Sequence, residues 1–116
     1  MLTSPITITY DAVAKPSPRI NQDNFGSVYR YKDGTAEFTT SIRHSYEGKI
    51  GPNQVERHNV DLQMITWDVN GNPIVRQAYV IFRNPRNQDP VGAVKLVKAL
   101  NDFVSSNNTA LGNWES

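Results

Sequence analysis

Between residues 36 and 83 the chain alternates apolar and polar side chains with a period of two, the spacing of a strand with one buried face. The alternation is interrupted at Gly48 to Pro52 and at Asn70-Gly71, and Asp33-Gly34 precedes it. Asp-Gly and Asn-Gly between β-prone runs are typical of hairpins, because glycine accepts the positive φ of the primed turns. The sequence therefore predicts an antiparallel meander with one apolar and one polar face.

The segments before the meander extend the β-rich part to the amino terminus. Residues Ile6 to Tyr10 alternate branched apolar residues with threonine, which indicates a half-buried strand. The stretch Lys15-Pro16-Ser17-Pro18 predicts a loop or an edge, because proline has no N–H to donate to a ladder. We therefore expect an N-terminal β hairpin, and residues 1–83 to be β-rich.

The period becomes helical after residue 89. Asp89 is a natural N-cap, and Pro90 suits the first helical position, where its missing N–H costs nothing. Apolar residues from Val91 to Val104 fall on one side of the predicted helix. The run Ser105 to Asn108 is expected to break this helix, and residues 109–114 to add a short helical turn.

The combination predicts an α+β fold of a single domain, residues 1–116, with a β-rich part at 1–83 and a helical tail at 89–116. A helix that follows a meander normally covers the apolar face of the sheet. The hydrophobic share of 38%, with 7 glycines among the 116 residues, is at or just below the usual ~45–50%. The core of one chain is therefore thin, and a partner could supply the rest.

Charge and cysteine content exclude several classes of protein. The chain carries 12 Lys plus Arg against 11 Asp plus Glu, so it is neither a polycation nor a charged disordered tail. The lack of cysteine excludes disulfides and thiolate chemistry. No apolar run has the ~18 residues of a membrane span, and Met1 to Pro5 lack the features of a signal peptide. We expect a soluble protein that is not exported by that route.

Two histidines, His44 and His58, are predicted to lie on facing strands, with Glu47 and Glu56 near them in sequence. Their parity puts them on the apolar face, so we interpret them as partly buried, hydrogen-bonded residues rather than as metal ligands or a general base. The sequence contains no nucleophile elbow, phosphate-binding loop or calcium loop. We therefore expect no enzyme activity, no metal and no cofactor.

The polar face of the meander is the better candidate for a site. Its hydroxyl and amide side chains could read base edges, Arg43, Arg57 and Arg83 could bind phosphates, and Tyr79 could stack on an unpaired base. A solvated sheet face without a ligand would show the same residue types. The residues alone leave both interpretations open.

The order of elements resembles that of the coat proteins of single-stranded RNA bacteriophages, the levivirus group. The matching segments lie in the meander, in the Pro-preceded helix and at the end of the chain. They are Phe38-Thr39-Thr40-Ser41-Ile42-Arg43-His44, Val55-Glu56-Arg57-His58-Asn59-Val60, Val91 to Val104 and Leu111-Gly112-Asn113-Trp114-Glu115-Ser116.

This resemblance implies a homodimer with one continuous sheet, in which the helices of each chain reach over the sheet of its partner. It implies that dimers form the icosahedral shell of a virion around viral RNA, assembled in the cytoplasm of a bacterial host. The helical residues expected at the dimer interface are Val94, Val97, Leu100, Phe103, Val104 and Trp114. The loop expected at the symmetry axes comprises Asp68, Val69, Asn70, Gly71, Asn72 and Pro73.

The resemblance also implies an RNA-binding set at alternate positions of three adjacent strands. These positions are Thr39, Ser41, Arg43, Arg57, Asn59, Asp61, Gln77 and Tyr79. Asp61 departs from the family pattern, because it replaces a cation and an acid there repels phosphate. The predicted function is a coat protein that packages RNA and represses translation through an RNA hairpin. The alternatives are a non-viral single-stranded nucleic-acid-binding module and a small enzyme or ligand carrier, and we expect neither a membrane nor a small-molecule partner.

Overall fold

The computed structural model describes residues 2–115, so Met1 and Ser116, the ends of the predicted domain, lie outside the described residues. Within them the chain forms a two-stranded hairpin, a five-stranded antiparallel sheet in sequence order and a C-terminal helix. The elements are β1 (Ile6–Tyr10), β2 (Val13–Ser17), β3 (Arg19–Asp23), β4 (Gly26–Lys32), β5 (Ala36–Glu47), β6 (Val55–Trp67), β7 (Pro73–Pro85) and α1 (Val91–Gly112). The predicted α+β fold with an N-terminal hairpin and a meander is confirmed.

The three longest strands, β5, β6 and β7, are joined by an uninterrupted antiparallel register. Ser41 is opposite Asp61, and Asp61 is opposite Tyr79. Directly opposed residues share a face of the sheet, and the faces alternate along each strand. The register agrees with the predicted alternation of one apolar and one polar face.

The two predicted hairpin turns form for different physical reasons. Gly71 adopts a φ of 80°, as the Asn-Gly signal predicts. The expectation of a positive φ at Gly34 is wrong, because that glycine is absent from the positive-φ residues. Instead the Asp33 carboxylate accepts hydrogen bonds from the backbone N–H groups of Thr35 and Ala36, at 2.8 and 2.9 Å, and these bonds hold the pKa of Asp33 well below its usual range. A side chain rather than the glycine shapes this turn.

The buried core lies where the N-terminal hairpin crosses the apolar face of β4 and β5. Phe38 is 1% exposed, and the ring of Tyr10 lies 5.3 Å from its ring, centroid to centroid. Lys15 places its ammonium group 5.2 Å from the ring centroid of Tyr31 and 3.4 Å from the Asp33 carboxylate. The hairpin thus covers one end of the apolar face, and the proline-containing segment forms its second strand, β2, which contacts β4.

The C-terminal segment consists of two helical stretches joined across a kink, so the predicted break at Ser105 to Asn108 is confirmed, and helical structure resumes directly after it up to Gly112. Asn107 has non-helical dihedral angles, and its side-chain amide donates to the carbonyl of Phe103 at 2.9 Å. Such a side-chain bond competes with the helical ladder and bends it. At the other end the helix begins one residue later than predicted, because Pro90 is the N-cap residue rather than the first helical one, and the Asp89 carboxylate accepts the Val91 N–H at 2.9 Å.

Helix α1 covers less of its own sheet than sequence reasoning expects. Ala93 is the one buried residue of the helix, and its contacts with the sheet are made mainly to β7. Strand β3 has no counterpart among the sequence predictions, because Arg19-Ile20-Asn21-Gln22-Asp23 lacks a period-two pattern. The apolar face is therefore closed by β1 and β2 at one end and remains open elsewhere.

Replacing Phe38 by alanine tests this assignment of the core. We expect the free energy of unfolding to fall by about 3–5 kcal/mol, because the substitution leaves a cavity between the hairpin and the sheet. Urea denaturation followed by circular dichroism measures the change. Val13→Ala at the exposed end of β2 is the control, and we expect a loss of about 0.5 kcal/mol or less. Equal losses for both variants would contradict the assignment.

Candidate functional site

The polar face of the meander brings together all eight residues of the predicted RNA-binding set. Register pairs arrange them in rows across the strands, and the side chains within a row are neighbours. The rows are Thr39, Gln63 and Gln77; Ser41, Asp61 and Tyr79; Arg43, Asn59 and Ile81; and Ser45, Arg57 and Arg83. The face is a flat polar surface rather than a cleft.

The arginines of the polar face differ in whether a carboxylate neutralises them. Arg43 donates to Asp23 at 2.8 Å, and Arg83 donates to Glu47 at 2.7 Å. The bond from Arg43 lowers the pKa of Asp23, which keeps that carboxylate charged. Arg57 has no carboxylate partner among residues 2–115. Of these three arginines, Arg57 is therefore the one whose charge no contacting carboxylate balances among the described residues.

The amide and aromatic groups of the same face have distinct hydrogen-bonding states. The side-chain amide of Gln77 donates to the carboxylate of Asp61. The Oδ1 atom of Asn59 is buried and has no hydrogen-bond partner among the described residues. The ring of Tyr79 is 62% exposed. The face thus offers an open aromatic surface beside the unpaired cation, while the unpaired acceptor of Asn59 is closed to solvent.

The opposite face holds the two histidines in the position that their parity predicts. His44 is directly opposite His58, and their Nδ1 atoms are 2.8 Å apart. Both rings are hydrogen-bonded, as predicted, but of the two His58 alone is partly buried, because His44 is exposed. In the part of the chain that the structure describes, no three histidine, aspartate or glutamate side chains converge as metal ligands.

An open apolar groove of about 500 Å³ runs between α1 and the sheet. The sheet side of the groove is formed by Val60, Leu62, Ala78, Val80 and Phe82, and the helix side by Val97, Leu100 and Val104. Val60, Leu100 and Val104 are exposed although they face this groove. The helix and the sheet present apolar surfaces to each other without closing the space between them.

Other apolar side chains of the helical tail are also exposed. Phe103 is 58% and Trp114 is 95% exposed, and Val94 is half exposed. Lys95, Lys98 and Asp102 are exposed too, and Lys98 bonds to Asp102 at 2.6 Å. Of the six residues predicted at the dimer interface, Val97 alone is not exposed in the single chain. Exposed apolar surface of this extent marks a site of interaction.

Strand β7 is the long edge of the sheet. It has 13 residues, and β6 pairs with it along one side while its other side carries unpaired backbone groups. The opposite edge, β3, is a 5-residue strand with an irregular register at Arg19/Asn21. Short and bulged edges resist pairing, whereas long regular ones invite it. The edge that is open to a further strand is β7.

The loop from Asp68 to Pro73 is ordered by one side chain. The Asp68 carboxylate accepts the backbone N–H groups of Asn70 and Asn72, both at 2.9 Å, and these bonds lower the pKa of Asp68. The backbone of Asp68 pairs with Asn72 and Gly71 as well. The side chain of Val69, at the tip, is fully exposed. The loop thus presents an apolar tip on a fixed backbone.

Comparison with known proteins now gives these surfaces a context. The virus-like particle of bacteriophage AVE019 has a subunit with the same fold, at a TM-score of 0.63 and 17% identity, over 90% of this chain and 88% of that chain. The fold is therefore that of a phage coat protein. A family model for the coat protein of phage phiCb5 matches residues 3–85, and the chain belongs to that family. A search of the curated proteins finds no match.

The family assignment confirms the resemblance to the coat proteins of single-stranded RNA bacteriophages and makes the chain a structural capsid protein. No helix among residues 2–115 is long and apolar enough to cross a membrane.

Sequence reasoning missed Asp23 and Glu47 as partners of the arginines on the polar face. Asp23 lies in the unpredicted β3, and Glu47 is far in sequence from Arg83. Neither pairing leaves a local signal in the sequence.

Replacing Asp68 by alanine tests how the loop is held. We expect the amides of Asn70 and Asn72 to exchange with solvent at least about tenfold faster, because each loses its carboxylate acceptor. Hydrogen–deuterium exchange detected by NMR measures these two sites. Asp11→Ala, in the exposed turn between β1 and β2, is the control and should leave both rates unchanged. Unchanged rates in Asp68→Ala would show that the backbone bonds alone hold the loop.

Proposed function

We propose that this chain is the shell subunit of a single-stranded RNA phage, that it forms a homodimer, and that dimers assemble into an icosahedral shell around viral RNA. The observation that carries the proposal is that one chain has both an open edge strand and an open apolar groove. Both features are incomplete in one chain, and a second copy completes both. Assembly would take place in the cytoplasm of the bacterial host.

The open edge of β7 supports a two-fold dimer. Antiparallel pairing of β7 with β7 of a second copy satisfies the unpaired backbone groups and makes one continuous sheet from two five-stranded sheets. A two-fold contact uses the same surface on both copies, and antiparallel pairing of identical strands meets that requirement. An open β7 is therefore suited to self-pairing.

The apolar groove supports an exchange of helices across the same two-fold axis. The groove ends at β7, so a second copy paired along β7 brings its own helix next to Val80 and Phe82. The exposed Leu100, Phe103 and Val104 then have an apolar surface to cover. Burial at ~25 cal/mol per Å² makes a contact of this kind the main source of dimer stability.

The polar face is the surface that we assign to RNA. Arg57 supplies a cation without a competing carboxylate, and Tyr79 supplies a ring for stacking. Thr39, Ser41 and Gln77 add hydroxyl and amide groups along the same face. Repression of translation through an RNA hairpin would use this surface too.

The loop from Asp68 to Pro73 is the contact that we assign to the symmetry axes of the shell. It projects past the paired strands β6 and β7, and the exposed Val69 gives it an apolar tip. When several copies of this loop meet at a symmetry axis, their apolar tips bury one another. The hydrogen bonds of Asp68 reduce the entropy that such a contact would otherwise lose on ordering the loop.

Expression of the chain alone tests the assembly. We expect closed particles by electron microscopy, and we expect Leu100→Glu and Phe103→Glu to abolish both particles and dimers, because each puts a charge into an apolar contact between copies. Light scattering coupled to size exclusion measures the mass. Lys95→Glu, in the same helix at an exposed charged position, is the control and should assemble. A folded monomer of the unaltered chain at micromolar concentration would contradict the proposal, and so would a dimer that survives both substitutions.

The RNA content of purified particles tests the polar face. We expect Arg57→Ala particles to carry less RNA and Asp61→Asn particles to carry more, because the first change removes an unpaired cation and the second removes an anion beside the phosphates. The ratio of absorbance at 260 nm to that at 280 nm measures the content. Arg76→Ala is the control, since Arg76 lies on the opposite face, next to Thr66. Equal RNA content in Arg57→Ala and Arg76→Ala particles would exclude this face as the RNA-binding surface.

A further inference from the structure

The hydrogen bond between His44 and His58 depends on how many protons the two rings carry. The Nδ1 atoms face each other at 2.8 Å, and the ring planes are inclined by 71°. An N–H···N bond needs a proton on one nitrogen and a lone pair on the other. The pair meets this requirement when it is neutral or carries one extra proton. When both rings are protonated, two N–H groups point at each other and the bond is lost.

The pair lies beside the apolar surface that a second copy is proposed to cover. The ring of His58 is 4.9 Å from that of Phe82, which lines the groove under α1. His44 borders a second open groove of about 690 Å³, which also contains Ile42 and Val60. Its backbone N–H donates to the carbonyl of Phe25 at 2.7 Å, so the connection between β3 and β4 fixes its position. The two rings therefore lie between the groove under α1 and this second groove.

Few charged groups are placed to compensate for two protons. On β6, the Glu56 carboxylate lies 3.6 Å from Nε2 of His58. On the β3 side, Asp23 borders the groove of His44 but is bonded to Arg43. After β7, the Arg86 guanidinium lies over the ring of Tyr46, 4.8 Å from its centroid, and adds a positive charge. Ser27 and Tyr29 of β4, and Asn101 of α1 in the adjoining groove, are uncharged. One carboxylate, Glu56, balances one proton and leaves a second unbalanced.

We propose that the His44–His58 pair is a proton-sensitive element of the contact between two copies of this chain. The contact is stable while the two rings share their hydrogen bond, and it weakens when both rings are charged. The inference rests on the proposed dimer. Two adjacent positive rings separate from each other and draw water to an apolar surface that the second copy must cover. The result is weaker dimer contact in mildly acidic solution.

The direction of the pH dependence follows from the titration of His44. Burial, and after it the positive charge of His58, lowers the pKa of His44 below its ordinary value of 6.5. The folded chain therefore binds this proton less tightly than the unfolded chain does. The contribution of neutral His44 to the stability of the folded state is complete above pH 6.5, and it is lost as the pH falls through the lower pKa that His44 has in the folded state. A covering second copy buries His44 further and extends the effect.

The experiment compares the unaltered protein with His44→Gln and His58→Gln as the pH is lowered from 7.5 to 5.0. We expect the unaltered assemblies to dissociate between about pH 6.5 and 5, as measured by light scattering. Each variant keeps an amide hydrogen-bonding group and one titrating ring, so its dissociation should shift to lower pH by about half a unit or more. The chain has two histidines, so a difference between the curves belongs to this pair. Superimposable curves would overturn the inference.

NMR titration of the histidine rings of the unaltered protein provides a second measurement that does not need a variant to fold. We expect two separated protonation steps, as coupled rings show. Two independent titrations near the ordinary value would overturn the inference. Failure of the proposed function is recognised separately, because it gives a monomer at pH 7.5. In that case the interchain role is rejected, whatever the rings show.

Discussion

The long antiparallel ladder of β5, β6 and β7 is the constraint on which the other features of the molecule depend. Because its register is continuous over 12 to 13 residues, every side chain is committed to one face or the other. The ladder thus separates the arginines, amides and Tyr79 on one face from the histidines and the groove on the other. It also ends in β7, whose outer backbone groups have no strand partner among residues 2–115. Two chemically distinct faces and one unpaired edge follow from a single hydrogen-bonding pattern.

The unfinished core is a direct consequence of how this sheet is covered. The hairpin of β1 and β2 buries Phe38 and Tyr29 at one end, and the small surface that a chain of 116 residues can bury leaves the rest open. Helix α1 does not repair this, because Leu100 and Val104 face a groove that they do not fill. Exposed apolar surface is costly in a monomer and useful in a subunit. The thin hydrophobic composition of the chain fits the proposal that a second copy completes its core.

Sequence reasoning predicted the features that depend on local periodicity and missed those that depend on distant contacts. The alternation from residue 36 to 83 gave the face of every residue in the candidate site, and Asp89 gave the start of α1. The break at Asn107 was predicted in the right place, although sequence alone does not reveal that its side-chain amide donates to the Phe103 carbonyl and that the helix resumes directly afterwards. Strand β3 and the pairs of Arg43 and Arg83 with carboxylates need the sheet to be formed first. They could not be found from local patterns.

The near neutrality of the polar face can be reconciled with RNA binding through the weakness of its ion pairs. Arg43–Asp23 and Arg83–Glu47 are exposed, and exposed pairs contribute only ~0.2–1 kcal/mol each. A phosphate can therefore replace the carboxylate on either guanidinium at little cost in free energy. Arg57 can bind a phosphate without losing a carboxylate partner. In the proposed shell the same modest contact would be repeated by every subunit along one RNA molecule, so the contacts would act together as a multivalent surface. A face that holds RNA weakly in one dimer can hold it firmly in the assembled particle, without a strong charge that would make the subunits repel one another.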